Sequence, residues 1–176
     1  QFILQWINVI IVDPADSNIL YLASTSGCFR SIDGGRNWTA GVNAGGDARS
    51  LVLDRSTPAG ARILYAGISG RGVFRSIDGG QNWTQILSAA TPAVAAAVGA
   101  APASFRKAIV GLAPPSSPPN PGGVQVLYAT LEGTGGAPSR VRPTARTRPT
   151  QARAQLVAGG SGGFVALSGT AGSLPH

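Results

Sequence analysis

A ten-residue string is written twice in this chain. FRSIDGGRNW spans Phe29–Trp38, and FRSIDGGQNW spans Phe74–Trp83, 45 residues later, with nine of ten positions identical. Extended outward, the match pairs Asp13 with Asp54, Tyr21 with Tyr65, Ser31 with Ser76 and Trp38 with Trp83, at offsets of 41, 44, 45 and 45. The drift falls where STPAGAR (56–62) replaces the shorter PADSN (14–18), and where one residue is added before Val73. A constant period with drift confined to a turn marks a structural unit that is repeated, each copy covering its neighbour.

Each unit holds four short apolar runs separated by turn residues, which predict four strands. They are Ile7–Val12, Ile19–Ser24, Cys28–Ile32 and Trp38–Val42, then Ser50–Leu53, Ile63–Gly67, Gly72–Ile77 and Trp83–Leu87. In GVFRSI, Val73, Arg75 and Ile77 point to one face and Phe74 and Ser76 to the other. No segment has helical periodicity; Pro92, Gly99 and Pro102 interrupt the Ala-rich stretch 91–105, which reads as a long loop. Four strands at this period predict an all-β chain of four-stranded antiparallel β-propeller blades. The units are blade 1 (1–48), blade 2 (49–90), an inter-blade loop (91–107) and a partial blade 3 (108–138), where Leu127-Tyr128-Ala129 echoes Leu64-Tyr65-Ala66. About two and a half blades cannot close a ring, which takes roughly 4–8. Sheet faces are therefore expected to need the remaining blades of a longer chain. The opening run QFILQWINVIIVD has neither a basic leader nor a cleavage site and is too short to span a membrane, so the chain reads as a fragment.

A third Asp-Gly-Gly turn is due shortly after Tyr128 and does not come. Residues 139–176 are instead a basic and then Gly/Ala-rich tail, expected to be irregular: either a disordered linker or a shifted reading frame. Codons for Arg142-Pro143-Thr144-Ala145 read one base out of register can spell Ser-Thr-Asp-Gly. The tail also explains the charge. Of the net +7, residues 111–176 contribute five Arg and one Glu, with all five Arg between Arg140 and Arg153. One local tract without interleaved aromatic residues is a poor nucleic-acid footprint, and no such partner is expected.

The repeated motif suits a hairpin turn. Asp accepts hydrogen bonds from backbone N–H groups just ahead of it, Gly takes positive φ, and Trp anchors the reversal. Ser-x-Asp-x-Gly-x-x-Trp, at Ser31, Asp33, Gly35 and Trp38 and again at Ser76, Asp78, Gly80 and Trp83, resembles the Asp-box of bacterial-neuraminidase-type repeats. Asn37 and Asn82 stand where that family usually has Thr. The resemblance covers 7–87 well and 108–133 loosely, and extends to sialidase-like, sortilin-like and xyloglucanase-like propellers. It implies a structural role for the motif, in a turn between third and fourth strands, opposite the usual ligand face. It also implies an extracellular or periplasmic setting.

Catalytic residues do not stand out. The one His is His176, and no metal site or cofactor is expected. An EF-hand would need more oxygen ligands than DGGRNW supplies. Asn37-Trp38-Thr39 and Asn82-Trp83-Thr84 have the form of glycosylation sequons but lie inside the turn. Cys28 aligns with Val73, which predicts a small buried apolar role. Asp33 and Asp78 belong to the turns, and Asp13 and Asp54 recur at strand ends. The arginine triad and Tyr-Glu pair that the resemblance to sialidases implies have no match here, nor does a carboxylate pair. The candidates for a ligand face are Asp47, Arg49, Arg71, Arg106 and Lys107, on inter-blade loops and second-to-third-strand loops. The expectation is a non-catalytic propeller module that binds glycan or protein; the alternative is a fragment of an Asp-box glycoside hydrolase.

Overall fold

The computed structural model describes residues 6–88, 90–91, 105–112, 124–133, 154–159 and 162–170. The first unit forms β1 (Ile7–Val12), β2 (Leu20–Ser24), β3 (Gly27–Ser31) and β4 (Thr39–Gly45). The second forms β5 (Ala48–Leu53), β6 (Leu64–Ile68), β7 (Gly72–Ser76) and β8 (Thr84–Leu87). Each is a four-stranded antiparallel meander in chain order. The registers repeat, with Tyr21 opposite Arg30 in one sheet and Tyr65 opposite Arg75 in the other. The longer first turn of the second unit holds a single 3-10 turn, Ala59–Ala61.

The third sheet combines β9 (Phe105–Leu112) and β10 (Val124–Gly133) with β11 (Ala154–Gly159) and β12 (Gly162–Thr170). The tail expected to be irregular therefore contributes two strands, which corrects that expectation. Strand order differs from the blades: β12, the last strand in sequence, lies beside β10, and β11 takes the edge. The reason is local. Gly159 pairs with Gly162, so β11 and β12 form a tight hairpin, and β12 pairs along β10 from Val124 to Leu131. The long-loop expectation for 91–107 also ends early, because β9 begins at Phe105; residues 92–104 lie outside the described residues.

The sheets stack face to face, and the core lies in the two seams. In the first seam Tyr21, Ala23 and Cys28 meet Leu51, Leu53, Leu64, Ala66, Ile68, Phe74 and Trp83. In the second, Tyr65, Val73 and Leu87 meet Ala108, Val110, Leu127 and Ala129. Phe74 and Val73, neighbours in sequence, enter opposite seams, as strand alternation requires. The middle blade is thus apolar on both faces, and burial at both seams supplies the dominant driving force. Backbone approach is close. A Cβ on Gly67 would lie 2.1 Å from the Ala108 carbonyl oxygen, so only glycine lets β6 meet β9.

Candidate functional site

The repeated turns are built alike. Ser31 and Ser76 Oγ each donate to the Asp33 or Asp78 carboxylate at 2.8 Å, and accept from Gly35 or Gly80 N at 2.9 and 2.8 Å. Asn37 and Asn82 Nδ2 donate to the same carboxylates at 2.7 and 2.8 Å. Those amides are engaged within the turn. Each Trp indole N–H donates to a glycine carbonyl at 3.0 Å. Two successive glycines carry positive φ in each turn, 73° and 88° at Gly34 and Gly35, 70° and 86° at Gly79 and Gly80. The N–H and side-chain amide of Asn37, with Ser31, hold Asp33 down at about 2. Burial works to raise Asp78, and the Asn82, Ser76 and Gln81 donors outweigh it, so its net shift is downward. Both turns connect third to fourth strands, and their Ser, Asp and Asn side chains bond within the turn.

Behind the second turn lies a charged link between blades. Arg62, on the first turn of blade 2, donates from Nε and Nη2 to Asp13 of blade 1 at 2.8 and 2.9 Å. Asp13 also accepts from Ala15 N at 2.9 Å and Tyr21 Oη at 3.2 Å. The Arg62 hydrogen bonds hold Asp13 at about 2, against burial. Burial, with the Asp13 charge, pushes Tyr21 up to about 12. Asp54, the counterpart of Asp13, accepts from Ser56 N and Oγ at 2.9 and 2.6 Å. Cys28 is a free, buried thiol pushed up to about 12 by burial, an inert core residue.

The opposite edge of the sheets carries the ligand-face candidates. Asp47, in the β4–β5 loop, pairs with Arg49 Nε at 2.6 Å. Asp47 O accepts from Ser69 N at 2.8 Å, which ties this loop to the β6–β7 loop. Arg71 lies over the Phe74 ring, 4.5 Å from its centroid, and donates from Nη1 to Asn43 O at 3.1 Å and Gly45 O at 2.6 Å. Its backbone carbonyl accepts from Gln85 Nε2. Arg71 is therefore a clamp across the first seam as well as a surface cation. Lys107 is exposed on β9; the side chain of Arg106 lies outside the described residues. The structure brings Asp47, Arg49 and Arg71 together and leaves Lys107 on another sheet.

Trp6 belongs to this edge and is not legible as a site residue in the sequence. Its carbonyl accepts from Thr25 N at 3.1 Å, and Asn8 Nδ2 donates to Ala48 O at 2.8 Å, so the start of β1 sits beside the β2–β3 and β4–β5 loops. Trp6 is 74% exposed. On the β2–β3, β4–β5 and β6–β7 loops of this edge, Thr25 Oγ1, Asp47 Oδ1 and Ser69 Oγ are screened from solvent and have no hydrogen-bond partner. The one available signal was an aromatic residue at the boundary of an apolar run, which the run itself obscures. Among the described residues no three His, Cys, Asp or Glu side chains converge as a metal site.

Repeat, meander and seam together define a chain of propeller-type blades. No family model matches it, and no curated protein matches it. Among solved structures it is similar to an ancestral GH74 enzyme, at 17% identity and a TM-score of 0.48, over 76% of this chain and 23% of that one. It is also similar to the GH74 xyloglucanase from Xanthomonas campestris, at 21% identity and a TM-score of 0.40, over 73% of this chain and 20% of that one. The chain thus spans less than a quarter of either structure's length.

Proposed function

We propose that this chain is a non-catalytic binding module whose ligand is a glycan, held at the edge formed by Trp6 and the β2–β3, β4–β5 and β6–β7 loops. The observation that carries the reading is the set of three screened, unpartnered oxygens, Thr25 Oγ1, Asp47 Oδ1 and Ser69 Oγ, on the loops of the same edge that carries the exposed Trp6. A screened polar atom without a partner costs roughly 1–3 kcal/mol, a cost that a ligand with matching groups removes. Sugar hydroxyls both donate and accept, which suits two hydroxyls and a carboxylate oxygen. An exposed Trp offers a flat apolar face with a polar rim, complementary to a pyranose ring. The carboxylates argue against hydrolysis by these residues. Asp13 is paired to Arg62, Asp47 to Arg49, and Asp16, Asp33 and Asp78 hold local turns.

The test is binding of the whole chain to immobilised plant and bacterial polysaccharides, xyloglucan and sialylated glycans included. Retention is expected, weakened about tenfold by Trp6→Ala and by Ser69→Ala, roughly 1.4 kcal/mol each. Retention unchanged by both substitutions, or none on any glycan, sinks the reading. Release of reducing sugar during the assay would move the assignment to a glycoside hydrolase.

A further inference from the structure

Of the three unpartnered oxygens on the Trp6 edge, one has a fixed polarity. A Thr or Ser hydroxyl turns its hydrogen to donate or accept as a ligand requires, whereas a carboxylate oxygen only accepts. Thr25 Oγ1 and Ser69 Oγ are thus adaptable, and Asp47 Oδ1 is not. The choice of ligand falls to Asp47.

The loop that carries Asp47 is pinned. Asn43 takes φ 65°, the one non-glycine residue in the left-handed region among the described residues. Arg71 Nη1 donates to Asn43 O and Gly45 O, and its stem packs on Gly46, where a Cβ would lie 3.8 Å from Arg71 Cδ. Ser69 N donates to Asp47 O, and Asn8 Nδ2 to Ala48 O. Bonds from β1 and from the β6–β7 loop thus hold the chain on both sides of Asp47. On the carboxyl group itself, Oδ2 accepts from Arg49 Nε at 2.6 Å, which fixes the oxygen that is left over. The Asp47 side chain is 28% exposed as a whole, so the group lies at the surface of the edge while Oδ1 is screened.

The charge of Asp47 is already matched. Arg49 pairs with it, and Arg71 is a second cation on the same group of loops. A cationic group brought to Oδ1 would meet both guanidinium groups, so the partner that suits this oxygen is a neutral donor. On a glycan that donor is a free hydroxyl. Acylation removes the hydroxyl hydrogen and leaves only ester oxygens, acceptors facing an acceptor.

We propose that the edge selects glycans whose hydroxyl groups are unesterified and excludes the O-acetylated forms of the same polymers, with Asp47 the residue that discriminates. The selection presupposes the glycan reading and names the class of glycan within it. A site that accepts from a hydroxyl rejects the analogue lacking that hydrogen, because its own polar atom is then left unpaired.

Retention of the whole chain on the same panel of polysaccharides, each before and after chemical O-acetylation, tests it. Every polymer that is retained should lose about tenfold in affinity on acetylation. Asp47→Asn keeps the shape of the side chain and can present an N–H to an ester carbonyl, so this variant should hold the free and acetylated polymers within about twofold of each other. The ion pair it removes is partly exposed, and the strand signal in circular dichroism should be retained. Equal retention of both forms by the parent chain overturns the selection and leaves the glycan reading standing. The parent's discrimination persisting undiminished in Asp47→Asn would mean that the acetyl group is excluded by its bulk, which overturns the role of Asp47. Retention of no polymer in either form removes the glycan reading and the selection together.

Discussion

Trp38 and Trp83 end nearly identical ten-residue strings, make the same 3.0 Å bond to a glycine carbonyl, and lie in different surroundings. Trp83 is buried, 4% exposed, while Trp38 is only half-buried. The difference comes from the neighbour. Blade 1 lays Gly41 so close to the Trp83 ring that a Cβ there would sit 2.5 Å from the indole nitrogen. Backbone bonds join Val42 to Gln81 and to Trp83 across the same seam, at 2.8 and 3.1 Å. Trp38 has no blade before it among the described residues. The motif thus makes its own turn, but the blade before it supplies the burial.

The largest effect that would break this comparison is truncation of the two indoles. Trp83→Ala should cost about 4 kcal/mol in urea unfolding, within the range for emptying a large aromatic site in a core. Trp38→Ala should cost less than half as much. Equal losses would mean that the indole stabilises the turn alone and the seam adds nothing.

A second contrast sets Arg62 against Asn18, which share a place in the repeat. Arg62→Ala strands Asp13 among buried neighbours, and one-sided loss of a buried pair costs about 3–5 kcal/mol. About 3 is expected here, because Ala15 N and the Tyr21 hydroxyl still donate to Asp13. Asn18→Ala removes only the exposed side-chain bond to Asp16 and should fall within about 0.5 kcal/mol of the parent. If the two substitutions cost the same, the ion pair does not hold the seam.

The difference between these elements also marks what a sequence can show. The meander was legible because strand period, turn residues and the 45-residue spacing are local signals, and every strand of the first two units falls within two or three residues of its expected ends. The Asp-Gly-Gly turn was legible for the same reason, since the partners of its Ser and Asp side chains lie within four residues. Arg62 was not, because its partner is 49 residues away and Asp13 read simply as a strand-end carboxylate. Arg71 read as a solvated loop charge, yet it clamps carbonyls 26 and 28 residues back. The β11–β12 hairpin hid behind low hydrophobic contrast in a Gly/Ala-rich tail, where composition argues for irregularity and pairing along β10 decides otherwise.

The smallest effect isolates the charge in the first seam. Asp13 sits at about 2 in the folded chain, against an ordinary value of 3.8, because Arg62 hydrogen-bonds its charged form. A carboxyl group whose folded value is depressed stabilises the fold above its unfolded value, and that stabilisation is lost as pH falls through the folded one. The window is therefore about pH 4 down to 2, and the amount at stake is roughly 2 kcal/mol. Asp33, also near 2, titrates in the same window, so a single acid-unfolding curve cannot separate them. Comparing the parent with Arg62→Met does, because Asp33 is common to both and cancels. The stability gap between the two chains should be flat from pH 7 to 5 and shrink as pH falls from 4 toward 2. A gap of the same size at pH 2.5 as at pH 7 would show that Arg62 stabilises the seam through the packing of its stem, with the Asp13 charge contributing nothing.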